Sequence, residues 1–405
     1  MAPATLAEAI ESSNVPFSEL EESVYKPMLG IVRELIGVVP NCDQVLEIWP
    51  TGFKTYNLVV PTLLDLPKSL VGRGAPKDHV GLGMYISSMA AGCMYCSAHT
   101  CSFALRRGAS AEAVSGNHSP VQAAVAKLAE GLSFIPASAE VDDIRELRKY
   151  LSQDEIDGVA MGVVMMGFLN KFMDALGIGL EAGAINDVEG IIGSEWSVGQ
   201  HAWNGGQEST QTRGMETDSV KTYARVVRWG PGATKLENQW VKKFSGDSGK
   251  DAATLEKSYG FDYGPTLSGL PNKRQIKAFA TLLDENLSSA NIGLDIETKA
   301  KAALIFATAV GNDYLADQAR ALVRSSNPKV KDAELRSIAG GDIGDNPVLA
   351  LATAFTPSPA EVTPELVETS VTALAHSQIV ELGVWISIQQ MLHRLERYRA
   401  LTDQL

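Results

Sequence analysis

The sequence lacks a basic surface, an apolar run of membrane-spanning length and the many cysteines of a disulfide scaffold. Among its 405 residues, 48 acidic side chains outnumber 35 Lys and Arg, which gives a formal charge of −13. Because nucleic acids and anionic membranes attract basic surfaces, we expect neither as a partner. Apolar stretches such as 159–169 are also shorter than the ~20 residues that cross a bilayer. The composition indicates a globular protein.

Four cysteines are present, and three of them lie close together at Cys93, Cys96 and Cys101, while Cys42 stands alone. The first residues have no basic start and carry a Glu inside their apolar part, which is not typical of a secretory signal. We therefore expect a cytoplasmic protein, in which clustered cysteines indicate redox or metal chemistry rather than structural disulfides.

Helical periodicity dominates the chain. Apolar residues recur three and four apart over 17–38, and a capping box at 152–155 precedes the apolar run 156–176. The stretch 80–105 contains no proline and ends at Arg106-Arg107-Gly108, a typical helix C-terminus, so we predict one continuous helix there. We find no alternating strand pattern. The predicted fold class is all-α.

The second half of the sequence repeats the first. Aligning Gly92 with Gly311 places 92–99 on 311–318, and aligning Leu151 with Leu374 places 168–171 on 391–394. We therefore predict two tandem copies that form a pseudo-dimer, with domains at 1–185 and 272–405. The second copy keeps the apolar framework but lacks the cysteine pair and the histidine, which predicts one active site and one structural partner.

The segment 186–271 between the copies is rich in glycine and tryptophan. Two interpretations are open for Trp196, His201 and Trp203 in this segment. Rigid indole rings could line a ligand pocket together with the histidine. Alternatively, the rings fix a long connection onto the helices.

Chemistry is concentrated at Cys93, Cys96 and His99, which share one face of a helix because they lie three residues apart. One thiol could attack a substrate, the other could capture the oxidised sulfur, and the histidine could act as a base. We predict no metal, since three ligands on one helix cannot readily surround a tetrahedral ion. Buried cysteines that only fill the core are the third interpretation.

The motif 92–99, together with 39–41 and 168–177, resembles the AhpD-like superfamily, which includes carboxymuconolactone decarboxylases and peroxidase-related proteins. The resemblance implies an all-helical bundle, usually a homo-oligomer, and its cysteine pair is typical of the redox branch. In that branch Cys96 would be oxidised by peroxide and Cys93 would form the disulfide with it. An external dithiol would reduce the pair, and no bound cofactor is expected.

Two positions depart from the family pattern. Gly81 stands where the redox prototype has a glutamate of its proton relay, and His99 lies one residue earlier than the prototype's histidine, at whose position is Thr100. One residue rotates a helical side chain by about 100°. Further polar side chains that could belong to the relay or to the pocket are Asp78, His79, Tyr95, Thr100 and Asn170.

Three functions follow from these patterns. The first is a thiol-dependent oxidoreductase of the alkylhydroperoxidase type that acts on a peroxide. The second is an enzyme of the same scaffold with lyase, isomerase or cyclase chemistry on a larger organic substrate. The third is a non-catalytic helical assembly protein.

Overall fold

The computed structural model describes residues 3–66, 69, 74–188, 191–192, 196–202, 215–291 and 293–405. Within these ranges the chain forms α-helices and short 3-10 turns without a strand, which confirms the all-α class. The helices are α1 (Leu6–Ala9), α2 (Phe17–Glu22), α3 (Lys26–Ile36), α4 (Cys42–Leu46), α5 (Pro50–Leu63), α6 (Lys77–Ala90), α7 (Met94–Arg106), α8 (Ala111–Val114), α9 (Pro120–Ser133), α10 (Val141–Leu147), α11 (Gln153–Leu176), α12 (Ala182–Val188), α13 (Val220–Trp240), α14 (Ser248–Tyr259), α15 (Gly264–Ser268), α16 (Lys273–Leu287), α17 (Ile296–Ala309), α18 (Asp313–Ser326), α19 (Asp332–Ala339), α20 (Pro347–Phe355), α21 (Pro364–Ala373) and α22 (His376–Thr402).

Two long helices, α11 and α22, pack along each other in the centre of the molecule. Helix α11 is long and apolar enough to cross a membrane, but 94% of its most apolar window is buried inside the protein. A helix that is apolar on all sides is expected at the core of a large helical protein. Gly167 permits the close approach, because a Cβ there would lie 3.0 Å from Met391 Cα.

The helices fall into two series of the same order, α3–α11 and α14–α22. The first residues of α5, α10 and α11 coincide with those of α16, α21 and α22 in the alignment that pairs Leu151 with Leu374. The first residues of α6 and α7 coincide with those of α17 and α18 in the alignment that pairs Gly92 with Gly311. The second series begins at Ser248, inside the segment 186–271 that the sequence assigned to the connection.

The prediction of one continuous helix over 80–105 is wrong, because α6 ends at Ala90 and α7 begins at Met94. Gly92 lies between them in the left-handed region, with φ +71°. Cys93 then caps α7, since its Sγ accepts a hydrogen bond from Cys96 N at 3.3 Å. In the second series Gly311 has φ +66°, and Asn312 caps α18 in the same way.

Candidate active site

The break between α6 and α7 gives the two motif cysteines different positions. Cys93 is the cap of α7 and Cys96 lies in its first turn; both are unbridged thiols, 0% and 4% exposed. Only Cys96 of the two lines a neighbouring cavity of about 100 Å³. The thiol pair, as we call Cys93 and Cys96, therefore has one sulfur at a cavity and one inside the protein.

The cavity lies between α3, α5, α7 and α11, and its wall is almost entirely apolar. Methionines from α6 and α11 form one side of the cavity. Cys42 also lines it, although in the sequence this residue is far from the other three cysteines. His99, the histidine of the motif, also lines the cavity, and its side chain is 13% exposed. An apolar cavity with few polar groups is suited to a small organic molecule.

His99 does not pair with a cysteine but with Glu181, whose Oε2 lies 2.7 Å from His99 Nε2. The other oxygen of Glu181 accepts hydrogen bonds from Tyr95 Oη at 2.8 Å and from Asn41 N. Burial raises the pKa of this carboxyl, but the charge and hydrogen bond of His99 outweigh burial and hold the pKa below its usual value. Glu181 is thus an ionised, fully buried partner of the histidine.

Gly81 lies at a close contact between α6 and α7. A Cβ at Gly81 would lie 2.7 Å from Ala104 Cα, so α6 and α7 approach too closely there for any side chain. Glu181, which precedes α12, supplies a carboxylate to the histidine from a different part of the chain. Sequence reasoning missed it because nothing in its local spacing relates it to residues 93–99.

Asp78 and His79, the polar candidates from the sequence, lie at the start of α6 and contact each other at 3.1 Å. Cys93 lies beyond the other end of this 14-residue helix, which corresponds to a separation of about 20 Å along its axis. The structure therefore places neither of these two candidates at the thiol pair.

His201 is the histidine next to Cys93. Its Nδ1 donates to Ile178 O at 2.8 Å, and its Nε2 lies 3.8 Å from Asp174 Oδ1. Burial lowers the pKa of His201, but its interactions with Asp174 and Cys93 outweigh burial and raise the pKa to about 10. His201 therefore carries a positive charge beside the Cys93 sulfur.

The two thiols differ in acidity. Burial raises the pKa of Cys93, but its interactions with Cys96 and with the charged His201 outweigh burial and lower the pKa to about 7. Burial and the neighbouring Cys93 sulfur raise the pKa of Cys96 well above its ordinary value. The first proton lost by the thiol pair leaves a thiolate on Cys93, which faces an imidazolium and accepts a hydrogen bond from Cys96.

Thr100 and Asn170 have structural partners near the site. Thr100 lines the cavity, and its Oγ1 donates to Cys96 O at 2.6 Å. Asn170 Nδ2 donates to Ser87 O at 3.3 Å, across the α6–α11 contact.

The tryptophans of 186–271 do not form the cavity in the described part of the chain. Trp196 Nε1 donates to Ser97 Oγ at 2.9 Å, which attaches this segment to α7. Trp203 lies outside the described residues. His201, which one of the two interpretations placed in a ligand pocket with these rings, faces Cys93. No group of three or more His, Cys, Asp or Glu side chains is arranged for a metal ion in the described ranges.

No protein-family model matches the chain, and no curated protein matches it. The apo crystal structure of the debrominase Bmp8 aligns with 44% of this chain and 96% of its own, at 22% identity and a TM-score of 0.39. A cysteine-to-alanine variant of that debrominase, in complex with 2,3,4-tribromopyrrole, aligns with 44% of this chain and 95% of its own, at 21% identity and a TM-score of 0.39.

Proposed function

We propose that this protein is a thiol-dependent oxidoreductase that reduces a small apolar organic hydroperoxide with the thiol pair. The observation that carries the proposal is the pairing of an acidic thiol, Cys93, with a cavity-facing thiol, Cys96. A thiolate is the reactive form of cysteine, and an adjacent cation together with a helix N-terminus favours it. The cavity of about 100 Å³ favours a small substrate over the larger one of the alternative enzyme hypothesis.

In the resting site the negative charge lies on Cys93 and the proton on Cys96. When a hydroperoxide occupies the cavity, the Cys96 proton moves to Cys93, and the Cys96 thiolate attacks the terminal peroxide oxygen. The O–O bond breaks, Cys96 becomes a sulfenic acid, and the leaving alkoxide takes a proton from His99, which Glu181 holds at 2.7 Å. Proton donation by a positioned side chain is typically worth a factor of about 100 or more in rate.

The Cys93 thiol then attacks the sulfenic sulfur of Cys96. An S–S bond forms, and the departing hydroxide leaves as water with the Cys93 proton. The thiol pair has lost two electrons and the peroxide has become an alcohol and water. An external dithiol restores the pair by thiol–disulfide exchange.

Sulfenic acid trapping separates the roles of the two thiols. After treatment with cumene hydroperoxide, Cys93→Ser should accumulate a sulfenic acid at Cys96 that dimedone labels, whereas Cys96→Ser should give little label at Cys93. Wild type should lose two thiols together and gain one disulfide, and Cys101→Ser, a substitution elsewhere on α7, should behave as wild type. Unreactive thiols in wild type would refute the proposal, and unchanged turnover of another organic substrate in both serine variants would favour the lyase-type alternative.

A further inference from the structure

Two buried cations lie near the thiol pair on opposite halves of the chain. Lys171 of α11 and Arg394 of α22 are each 1% exposed, and they occupy equivalent positions in the alignment that pairs Leu151 with Leu374. Among the described residues, neither has a carboxylate within ion-pair distance. Each inserts into the other half of the molecule.

Arg394 reaches α6 and α11 of the first half. Its Nη1 donates to Ser87 Oγ at 2.6 Å and to Val163 O at 2.9 Å. Gly167 makes room for it, since a Cβ there would lie 3.0 Å from Arg394 Cδ. Ser88, which follows Ser87 in α6, accepts a backbone hydrogen bond from Cys93 N at 3.1 Å. The guanidinium therefore lies beside the backbone that fixes Cys93.

The segment 356–360 of the second half covers the same region from the other side. Lys171 Nζ donates to Thr356 O at 3.1 Å, to Ser358 Oγ at 2.9 Å and to Pro357 O. Pro359 packs against Gly92, because a Cβ added at Gly92 would lie only 2.9 Å from Pro359 Cδ. Ala360 N of the same segment donates to Asp174.

The charges around the thiol pair require a compensating anion. A buried guanidinium is costly unless an opposite charge lies nearby. Burial lowers the pKa of Arg394 to about 9, which leaves it protonated at neutral pH, and burial lowers the pKa of Lys171 to about 7. The groups that face the pair are Asp174 and Lys171 of α11, His201, Arg394 of α22, and Cys42 and Tyr56 at the cavity. The cations His201 and Arg394, with Lys171 in part, outnumber the one carboxylate of Asp174, and the thiolate supplies a second negative charge.

We propose that the second half of the chain is part of the active site, in which Arg394 is a positioning residue that stabilises the thiolate of the thiol pair. This deepens the proposed function, because it assigns the electrostatic support of the reacting sulfurs to a half that lacks the cysteines. The first half alone would hold Cys93, Cys96 and His99 but not the guanidinium.

The test measures the apparent pKa of the thiol pair in the full-length chain, from the pH dependence of thiolate absorbance in the ultraviolet. Removing a nearby opposite charge typically raises an acid's pKa by about 1–3, so Arg394→Met should lower the thiolate fraction at neutral pH about fivefold or more. Arg394→Lys should restore most of the thiolate. Ser87→Ala removes a hydrogen-bond partner of the guanidinium, so it should raise the apparent pKa by a smaller amount than Arg394→Met. If Arg394→Met does not fold, Ser87→Ala provides the test.

Arg397→Met is the matched control, because Arg397 lies one turn further along α22 and donates to Ala139 O at 2.8 Å, another contact between the halves. It should leave the apparent pKa unchanged. An unaltered pKa in Arg394→Met, or an equal rise in Arg397→Met, would overturn the inference. A normal pKa response in protein that does not react with hydroperoxide would instead refute the proposed function and leave the role of Arg394 standing.

Discussion

Replacing His201 by asparagine should remove the charge that keeps Cys93 ionised while retaining a side-chain donor toward Ile178 O. The pKa of Cys93 is about 7 against an ordinary value of 9.0. A difference of about 2 pKa units corresponds to about 3 kcal/mol between the two protonation states. Both groups are more than nine-tenths buried, so solvent screens little of this interaction. In His201→Asn burial still raises the pKa of Cys93 while the charge that lowers it is gone, so the thiolate at neutral pH should fall from about half of the molecules to roughly a few per cent or less.

The same pair predicts how stability depends on pH. The lowered pKa of Cys93 contributes stability that is complete above 9.0 and is lost as the pH falls through about 7. The raised pKa of His201 contributes stability that is complete below 6.5 and is lost as the pH rises through about 10. The ion pair therefore stabilises the fold between about pH 7 and pH 10.

Thiolate absorbance in the ultraviolet and urea unfolding across this pH range provide the assays. Wild type should show a thiolate titration near pH 7 that is absent from Cys93→Ser, and the advantage in unfolding free energy over His201→Asn should shrink on both sides of the window. His376→Asn is the control, because His376 Nδ1 forms a hydrogen bond of 2.7 Å with Ser13 Oγ and does not contact the thiol pair. A titration near pH 7 that persists unchanged in His201→Asn would refute the assignment.

Two further substitutions test buried ion pairs. Glu181→Gln should lower the free energy of unfolding by about 3 kcal/mol, because His99 loses a buried partner. It should also slow peroxide reduction about 10- to 100-fold, while the thiol pKa stays unchanged. A loss of stability with full peroxide activity would contradict the proton-donor role of His99. Lys299→Met should cost about 3–5 kcal/mol in urea unfolding, since it leaves the fully buried Glu381 without its partner at 2.7 Å. Adding Glu381→Leu should recover most of that loss, and a double variant as unstable as the single one would show that the charge is not the cause.

The sequence predicted the fold class and the place of the thiols, but not their immediate surroundings. Periodicity identified the helices, and both alignments between the halves recur in the helix boundaries. The break at Gly92 was not predicted, because one glycine destabilises a helix by only about 1 kcal/mol relative to alanine and many helices contain one. The helix breaks there because Cys93 caps α7 and Pro359 packs against Gly92. The first interaction is a helix cap and the second is a tertiary contact, and helical periodicity encodes neither.

The partners of the thiols come from far along the chain. His201 lies beside Cys93, Asp174 lies beside His201, and Glu181 pairs with His99, across separations that no helical periodicity encodes. A signal did exist for Arg394, because the alignment of the two halves pairs it with Lys171. That pairing indicated equivalent positions in the bundle, but only the structure shows each cation entering the opposite half.

The caps of α7 and α18 differ in how firmly they hold the start of their helices. Asn312 Oδ1 accepts from Leu315 N at 3.0 Å, the bond that a sulfur makes in the other half. An amide oxygen is among the best caps, whereas sulfur is a weak acceptor. The architecture thus tolerates a turn of this shape without any thiol, and Cys93 occupies a place where asparagine would hold the helix more firmly.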